Sequence, residues 1–67
     1  MMNLTVNGES RELEPVATVA AALKALGYEG ESFAVALNGD FVPRSHYTEQ
    51  AVKDGDQLEV LFPMRGG

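Results

Sequence analysis

Few residues in this chain of 67 could perform chemistry through their side chains. There is no cysteine, and the single histidine, His46, is adjacent in sequence to Ser45 rather than placed to face it across a cleft. A thiol nucleophile is therefore excluded, and a serine–histidine pair of the hydrolase type is not expected. These residue types predict that the chain is not an enzyme on its own.

Ligands for a metal ion are equally sparse. One imidazole and no thiolate are too few for a zinc site. Asp54 and Asp56 flank Gly55, but calcium-binding loops supply more oxygen ligands than this spacing offers. We expect a solvated turn at these residues, and neither a metal nor a bound cofactor.

The last two residues, Gly66 and Gly67, offer a different kind of chemistry. Glycine has no Cβ, so such a tail is slender, flexible and able to thread a narrow channel with its backbone close to a ligand. A carboxylate on Gly67 would be unhindered and open to activation in the active site of another protein. The dipeptide alone favours an ordinary frayed terminus. Combined with the fold predicted below, the balance shifts to the functional interpretation.

The charge of the chain limits its partners. The net charge is −5, and the five basic residues are scattered along the sequence. Nucleic-acid binding requires a clustered positive surface, so no nucleic-acid partner is expected. An acidic domain suits a basic protein partner, although the charge could equally serve only to keep the domain soluble. Without a secretory signal or an apolar run near the roughly 18 residues of a membrane span, we expect a cytoplasmic protein with no membrane partner.

The hydrophobic pattern indicates five strands. The first two form a hairpin around Asn7-Gly8, a pair that tolerates positive φ. Pro43 cannot donate a ladder hydrogen bond, which places the fourth strand at an edge, and a short helical turn follows it. In the fifth strand Leu58, Val60 and Phe62 are predicted to face the core. The strands are predicted at residues 2–6, 9–13, 33–37, 41–43 and 57–62, and the helical turn at residues 45–50.

One helix is predicted from Val19 to Leu26, with Thr18 as its N-cap and Gly27 at its C-terminal end. A hairpin, a helix and three further strands in so short a chain indicate an α+β fold, with one main helix packed on one face of a mixed five-stranded sheet. The ubiquitin-like β-grasp arrangement, in which the last strand lies beside the first, fits this order. We expect one domain of residues 1–62 and a flexible tail of residues 63–67.

Six short motifs are spread over almost the whole chain: Thr18-Val19, Leu26-Gly27, Val35-Ala36-Leu37-Asn38, Val42-Pro43-Arg44, Asp54-Gly55-Asp56 and Gly66-Gly67. Together they resemble the ThiS branch of the ThiS/MoaD ubiquitin-like family, the sulfur carriers of thiamin biosynthesis. The Gly-Asp turn and the terminal Gly-Gly are shared with the small subunit of molybdopterin synthase. Asn38 followed by Val42-Pro43-Arg44 is more particular to the thiamin branch.

The resemblance implies a mechanism that depends on partners. A ThiF-like adenylyltransferase, similar to the ubiquitin-activating enzymes, would use ATP to adenylate the carboxylate of Gly67. Sulfur would then replace AMP to give a thiocarboxylate, and the thiazole synthase ThiG would take that sulfur for the thiazole ring. Gly66 and Arg65 would thread the tail into the partner. Because the chain has no cysteine, sulfur held for transfer must be carried by its C-terminus.

Alternative functions stay open from the sequence. The chain could be a molybdopterin-type carrier. Arg65 resembles the residue before the glycines of ubiquitin more than the uncharged residue usual in thiamin carriers, so attachment to protein lysines is a further alternative. A β-grasp interaction module without covalent chemistry is an alternative of another class.

Partner recognition is predicted on the sheet face that the helix does not cover. Alternation along the strands places Ala34, Ala36 and Leu61 on that face, and Phe41 and Met64 lie near it in sequence, so that an apolar patch leads toward the tail. The residues predicted to contact partners are Leu61, Phe41, Met64, Ala34 and Ala36.

Overall fold

The computed structural model describes residues 1–28 and 33–62, and these form a mixed five-stranded sheet with one α-helix. The strands are β1 (Met2–Val6), β2 (Glu9–Leu13), β3 (Ala34–Leu37), β4 (Asp40–Val42) and β5 (Gln57–Leu61). The helix, α1, is Val19–Leu26, and a short 3₁₀ helix covers Arg44–His46. No helix within the described residues is long and apolar enough to cross a membrane.

The strand order across the sheet is β2-β1-β5-β3-β4. Strand β5 pairs in parallel with β1 and antiparallel with β3, and the other neighbours are antiparallel. The last strand thus lies beside the first in the centre of the sheet, as predicted, while β4 is an edge strand. The β1–β2 and β3–β4 hairpins lie at the two edges of the sheet, and β5, which leads to the C-terminus, lies at its centre.

Local signals account for α1. The Thr18 hydroxyl accepts a hydrogen bond from the Ala21 backbone N–H at 3.2 Å, which satisfies one donor of the first turn. Gly27 adopts a φ of 90°, in the left-handed region that favours glycine. The backbone N–H groups of Gly27 and Tyr28 then donate to the carbonyls of Lys24 and Leu23, closing the last turn. The predicted helix is confirmed at both ends.

The core lies between α1 and one face of the sheet. The fully buried side chains of Leu4 and Leu58 come from the adjacent strands β1 and β5, and Val19 comes from the helix. Burying a leucine or valine stabilises the fold by about 1.5–3 kcal/mol relative to leaving it exposed. The buried hydrophobic residues are Met2, Leu4, Val6, Leu13, Val19, Ala22, Leu23, Val35, Leu37, Val42, Val52, Leu58 and Val60.

Four predicted boundaries differ from the structure. Strand β4 is Asp40–Val42 rather than residues 41–43, because Asp40 pairs with Leu37 of β3 and Pro43 has no partner in the ladder. The helical turn predicted at residues 45–50 is the 3₁₀ helix Arg44–His46, followed by turns. Strand β3 begins at Ala34 rather than at residue 33. Strand β5 ends at Leu61, because Leu61 pairs with the first residue of β3 and no partner strand continues beyond it. Phe62 is therefore 58% exposed and does not belong to the core, although its ring contacts Tyr28 and Phe33, which pack against the core.

Candidate functional site

The candidate site is the sheet end from which the C-terminal tail departs. Residues 63–67 lie outside the described residues, so the predicted roles of Met64, Arg65, Gly66 and Gly67 stay predictions. Strand β5 precedes the tail directly and is flanked on both sides by β1 and β3. A central strand is held by two ladders, so the starting point of the tail is fixed relative to the whole sheet.

Two asparagines of the hairpin turns hold β5 in addition to these ladders. The side-chain Oδ1 of Asn7 accepts from the Val60 N–H at 2.8 Å, and its Nδ2 donates to the Val60 carbonyl at 3.2 Å. Asn38 Oδ1 accepts from the Gln57 N–H at 2.9 Å. Both asparagines have positive φ, 51° and 52°, as their turns require. Each one therefore shapes a hairpin and also binds the backbone of β5.

The turn before β5 is held against the first strand. The backbone N–H of Asn3 donates to Asp54 Oδ1 at 2.6 Å, and the N–H of Gly55 donates to the Asn3 carbonyl at 2.6 Å. Asp56 Oδ2 accepts from the Lys53 N–H at 2.8 Å. These two carboxylates thus act as acceptors for backbone groups that the sheet leaves unpaired. The turn was predicted, but its attachment to β1 was not.

Three aromatic rings meet at the other end of β5. The ring of Phe62 lies 5.7 Å from that of Phe33 in an edge-to-face arrangement and 6.1 Å from that of Tyr28. Tyr28 and Phe33 are also 6.1 Å apart. Such spacings are those of favourable aromatic pairs. The cluster ties the last described residue before the tail to the end of α1 and the start of β3.

Four of the predicted partner-binding residues come together on the uncovered face of the sheet. Leu61 pairs with Ala34, and Ala36 pairs with Phe41, so the four side chains form a continuous group across β5, β3 and β4. Leu61 is 58% exposed and Phe41 is 68% exposed. We call these four residues the outer patch. Its position confirms the predicted alternation of strands β3 and β5, while its role in binding stays a prediction.

Comparison with the sequence models of protein families assigns the chain to a known family. The sequence model of the ThiS family matches residues 4–67, which include all of β5 and the tail. The chain belongs to the ThiS family. The predicted family is therefore confirmed.

Related proteins agree with this assignment. A sulfur carrier protein ThiS from Escherichia coli is 29% identical over 66 residues, a match that covers 98% of this chain and 100% of that protein. A thiazole synthase from Paramagnetospirillum magneticum is 42% identical over 66 residues. That match covers 98% of this chain but only 20% of the synthase, so the chain spans about one fifth of its length.

A solved structure supports the fold of this ThiS-family chain. The crystal structure of the thiamine biosynthesis protein ThiS from Geobacter metallireducens superimposes with a TM-score of 0.82. Its sequence is 39% identical, and the match covers 98% of this chain and 100% of that one. The mixed five-stranded sheet with one helix is the β-grasp fold of the ThiS structures, and the predicted fold class is confirmed.

Besides the attachment of the turn to β1 and the aromatic cluster, sequence reasoning missed the asparagine bonds and Glu59. The bonds from Asn7 and Asn38 to β5 span 53 and 19 residues, so no local pattern could indicate them. Glu59 was also missed, although a signal for it was present. Alternation along β5 directs Gln57, Glu59 and Leu61 to the same outer face, and Glu59 stands opposite Ala36 of the outer patch.

Proposed function

We propose that this chain carries sulfur as a thiocarboxylate on Gly67 and delivers it for thiazole formation in thiamin biosynthesis. The observation that carries the proposal is the family match, which continues through β5 to residue 67. The central position of β5 supports it, because a tail that enters another protein's active site requires a fixed starting point. We place these steps in the cytoplasm.

The first proposed step is adenylation by a ThiF-like enzyme. An oxygen of the Gly67 carboxylate attacks the α-phosphorus of ATP, and pyrophosphate leaves. Hydrosulfide then attacks the acyl carbon of the adenylate, AMP departs as the leaving group, and loss of the S–H proton gives the thiocarboxylate. The chain contributes an acyl group without steric hindrance, because neither terminal glycine has a Cβ. It contributes no thiol of its own, since the sequence has no cysteine.

Thiazole synthase is the proposed acceptor of the sulfur. The support is that two thiazole synthases match 98% of this chain while the chain covers 20% of each of them. In those proteins a segment similar to this carrier is part of the same polypeptide as the rest of the synthase. We infer that a separate carrier acts on the same class of enzyme.

The outer patch is the proposed docking surface for the activating enzyme. Replacing Leu61 with Asp places a charge in the patch without touching the core, because Leu61 is 58% exposed. We expect affinity for the activating enzyme to fall at least about tenfold, as desolvating an unpaired carboxylate is unfavourable. Ser10→Asp is the matched control, since Ser10 is exposed on the distant strand β2.

Binding is measured by calorimetry, with thermal unfolding to show that both variants remain folded. Equal affinity of Leu61→Asp and Ser10→Asp for the activating enzyme would contradict a docking role for the patch.

The activation step is tested by pyrophosphate release. We expect the wild-type chain to stimulate release from ATP by the activating enzyme, and the variant lacking Gly66 and Gly67 to bind without stimulating it. A pure interaction module would retain its function without the two glycines, so this comparison separates carrier chemistry from binding alone. Rescue of a thiamin requirement, rather than of molybdenum-enzyme activity, separates the thiamin branch from the molybdopterin branch.

A further inference from the structure

Glu59 stands beside the apolar side chains of the outer patch. It lies on the central strand β5, directly across the ladder from Ala36, and Leu61 follows it on the same face. Its side chain is exposed. The neighbour across the ladder is an alanine, which is too small to cover the carboxylate. A protein that covers Leu61 and Phe41 would therefore also cover Glu59.

The carboxylate of Glu59 has no partner within residues 1–28 and 33–62. No described side chain or backbone group forms a hydrogen bond or an ion pair with it. The other outward-facing strand positions carry no basic residue that could compensate its charge. Going across the sheet, these positions are Ser10, Glu12, Asn3, Thr5, Gln57, Leu61, Ala34, Ala36 and Phe41.

Covering an unpaired carboxylate in an apolar interface is costly unless the partner supplies a positive charge. Among the proposed partners, the activating enzyme is the one most expected to supply a positive charge. It must hold the phosphates of ATP close to the tail of this chain, and phosphate binding uses arginine and lysine. Its positive field would also attract a chain with a net charge of −5.

We propose that the surface of the activating enzyme which covers the outer patch presents an arginine or lysine side chain to Glu59, surrounded by apolar side chains that contact Leu61 and Phe41. Glu59 is then a specificity residue. The pair it forms fixes the orientation of the carrier, and an activating enzyme with an apolar or acidic group at that position is rejected. This inference rests on the proposed function, because it assumes that an activating enzyme binds the chain.

The test compares the affinity of the activating enzyme for Glu59→Gln, Glu59→Leu and wild type without ATP, so that binding is measured apart from catalysis. We expect Glu59→Gln to weaken binding about tenfold, as when one partner of a covered ion pair is removed. Glu59→Leu is expected to weaken it at least as much, and Glu59→Asp to restore part of the affinity. The control is Glu12→Gln on the edge strand β2, with an expected change below about twofold.

The kinetics of adenylation and the salt dependence of binding provide two further measurements, which would not change if Glu59 had only a structural role. The KM of adenylation for the carrier is expected to rise in Glu59→Gln while kcat stays unchanged. The salt dependence of wild-type binding is expected to be steeper than that of Glu59→Gln. Tighter binding by Glu59→Leu would overturn the proposal, since it would show that the partner is apolar at this position. An equal effect of Glu59→Gln and Glu12→Gln would also overturn it.

The outcomes separate this inference from the proposed function. Wild-type binding that requires Glu59, without pyrophosphate release, would support the ion pair and contradict the adenylation step. Normal pyrophosphate release with no effect of Glu59→Gln would leave the adenylation step in place and contradict the ion pair. A wild-type chain that does not bind the enzyme would overturn the assignment of this partner to the patch.

Discussion

At the scale of single residues, Asn7 and Asn38 have two separate tasks. Each adopts a positive φ that its hairpin turn requires, and each also binds the backbone of β5 through its side chain. Glycine would satisfy the first task but not the second. The side-chain amide is therefore the property that secures the strand leading to the tail.

Replacing Asn7 with Gly is predicted to release the Val60 amide selectively. Glycine accepts the φ of 51°, so the turn is retained, but both bonds to Val60 are lost. With about 1 kcal/mol for a net hydrogen bond, hydrogen exchange at the Val60 N–H should accelerate about fivefold beyond the change shared by other β5 amides. The measurement is native-state exchange followed by NMR.

Asn38→Gly is the matched control for this experiment. It removes the acceptor for the Gln57 N–H and should accelerate exchange at Gln57 rather than at Val60. If both variants accelerated the two amides equally, the asparagines would act on general stability and not on individual positions of β5.

For Asn7 and Asn38, the sequence predicts the turns but not the side-chain bonds to β5. The Asn-Gly pairs predict the two turns because positive φ is a local requirement. Their bonds to β5 depend on which strand the fold places beside each turn, and that is decided by contacts distant in sequence. The role of the Asp54 carboxylate also depends on contacts distant in sequence, because it accepts from the Asn3 N–H only when β1 is paired with β5.

At the scale of elements, α1 and β5 differ in predictability. The helix was predicted at both boundaries because Thr18 and Gly27 act within their own turns. The end of β5 was misplaced by one residue because it depends on where β3 begins. Phe62 consequently lies beyond the end of the sheet and contacts Phe33 and Tyr28, an aromatic cluster that hydrophobic alternation alone did not predict.

Phe62→Ala is predicted to lower stability, whereas Phe41→Ala is predicted to weaken partner binding. Phe62 contacts two rings, so its removal should lower the free energy of unfolding by about 1 kcal/mol. Phe41 is 68% exposed and has no ring contact within the described residues. Its removal should change stability by less than about 0.5 kcal/mol and weaken binding of the activating enzyme. Urea unfolding and calorimetric binding check the two effects, and a larger stability loss in Phe41→Ala would contradict this division.

At the scale of the whole molecule, the fold separates stability from function. The buried residues lie between α1 and one face of the sheet, whereas the outer patch and Glu59 lie on the other face. Hydrophobic alternation in the sequence predicted this division, and the family match to ThiS confirms the class of protein. Substitutions on the outer face should therefore alter partner binding while the domain stays folded.

Our central proposal is that this protein carries sulfur on Gly67. It is tested most directly by the intact mass of the chain after incubation with ATP, the activating enzyme and a sulfur source. We predict a mass increase equal to the exchange of one oxygen for one sulfur, located on the C-terminal peptide and absent when Gly67 is deleted. An unchanged mass with an enzyme that demonstrably adenylates the chain, or sulfur found on any other residue, would contradict the claim.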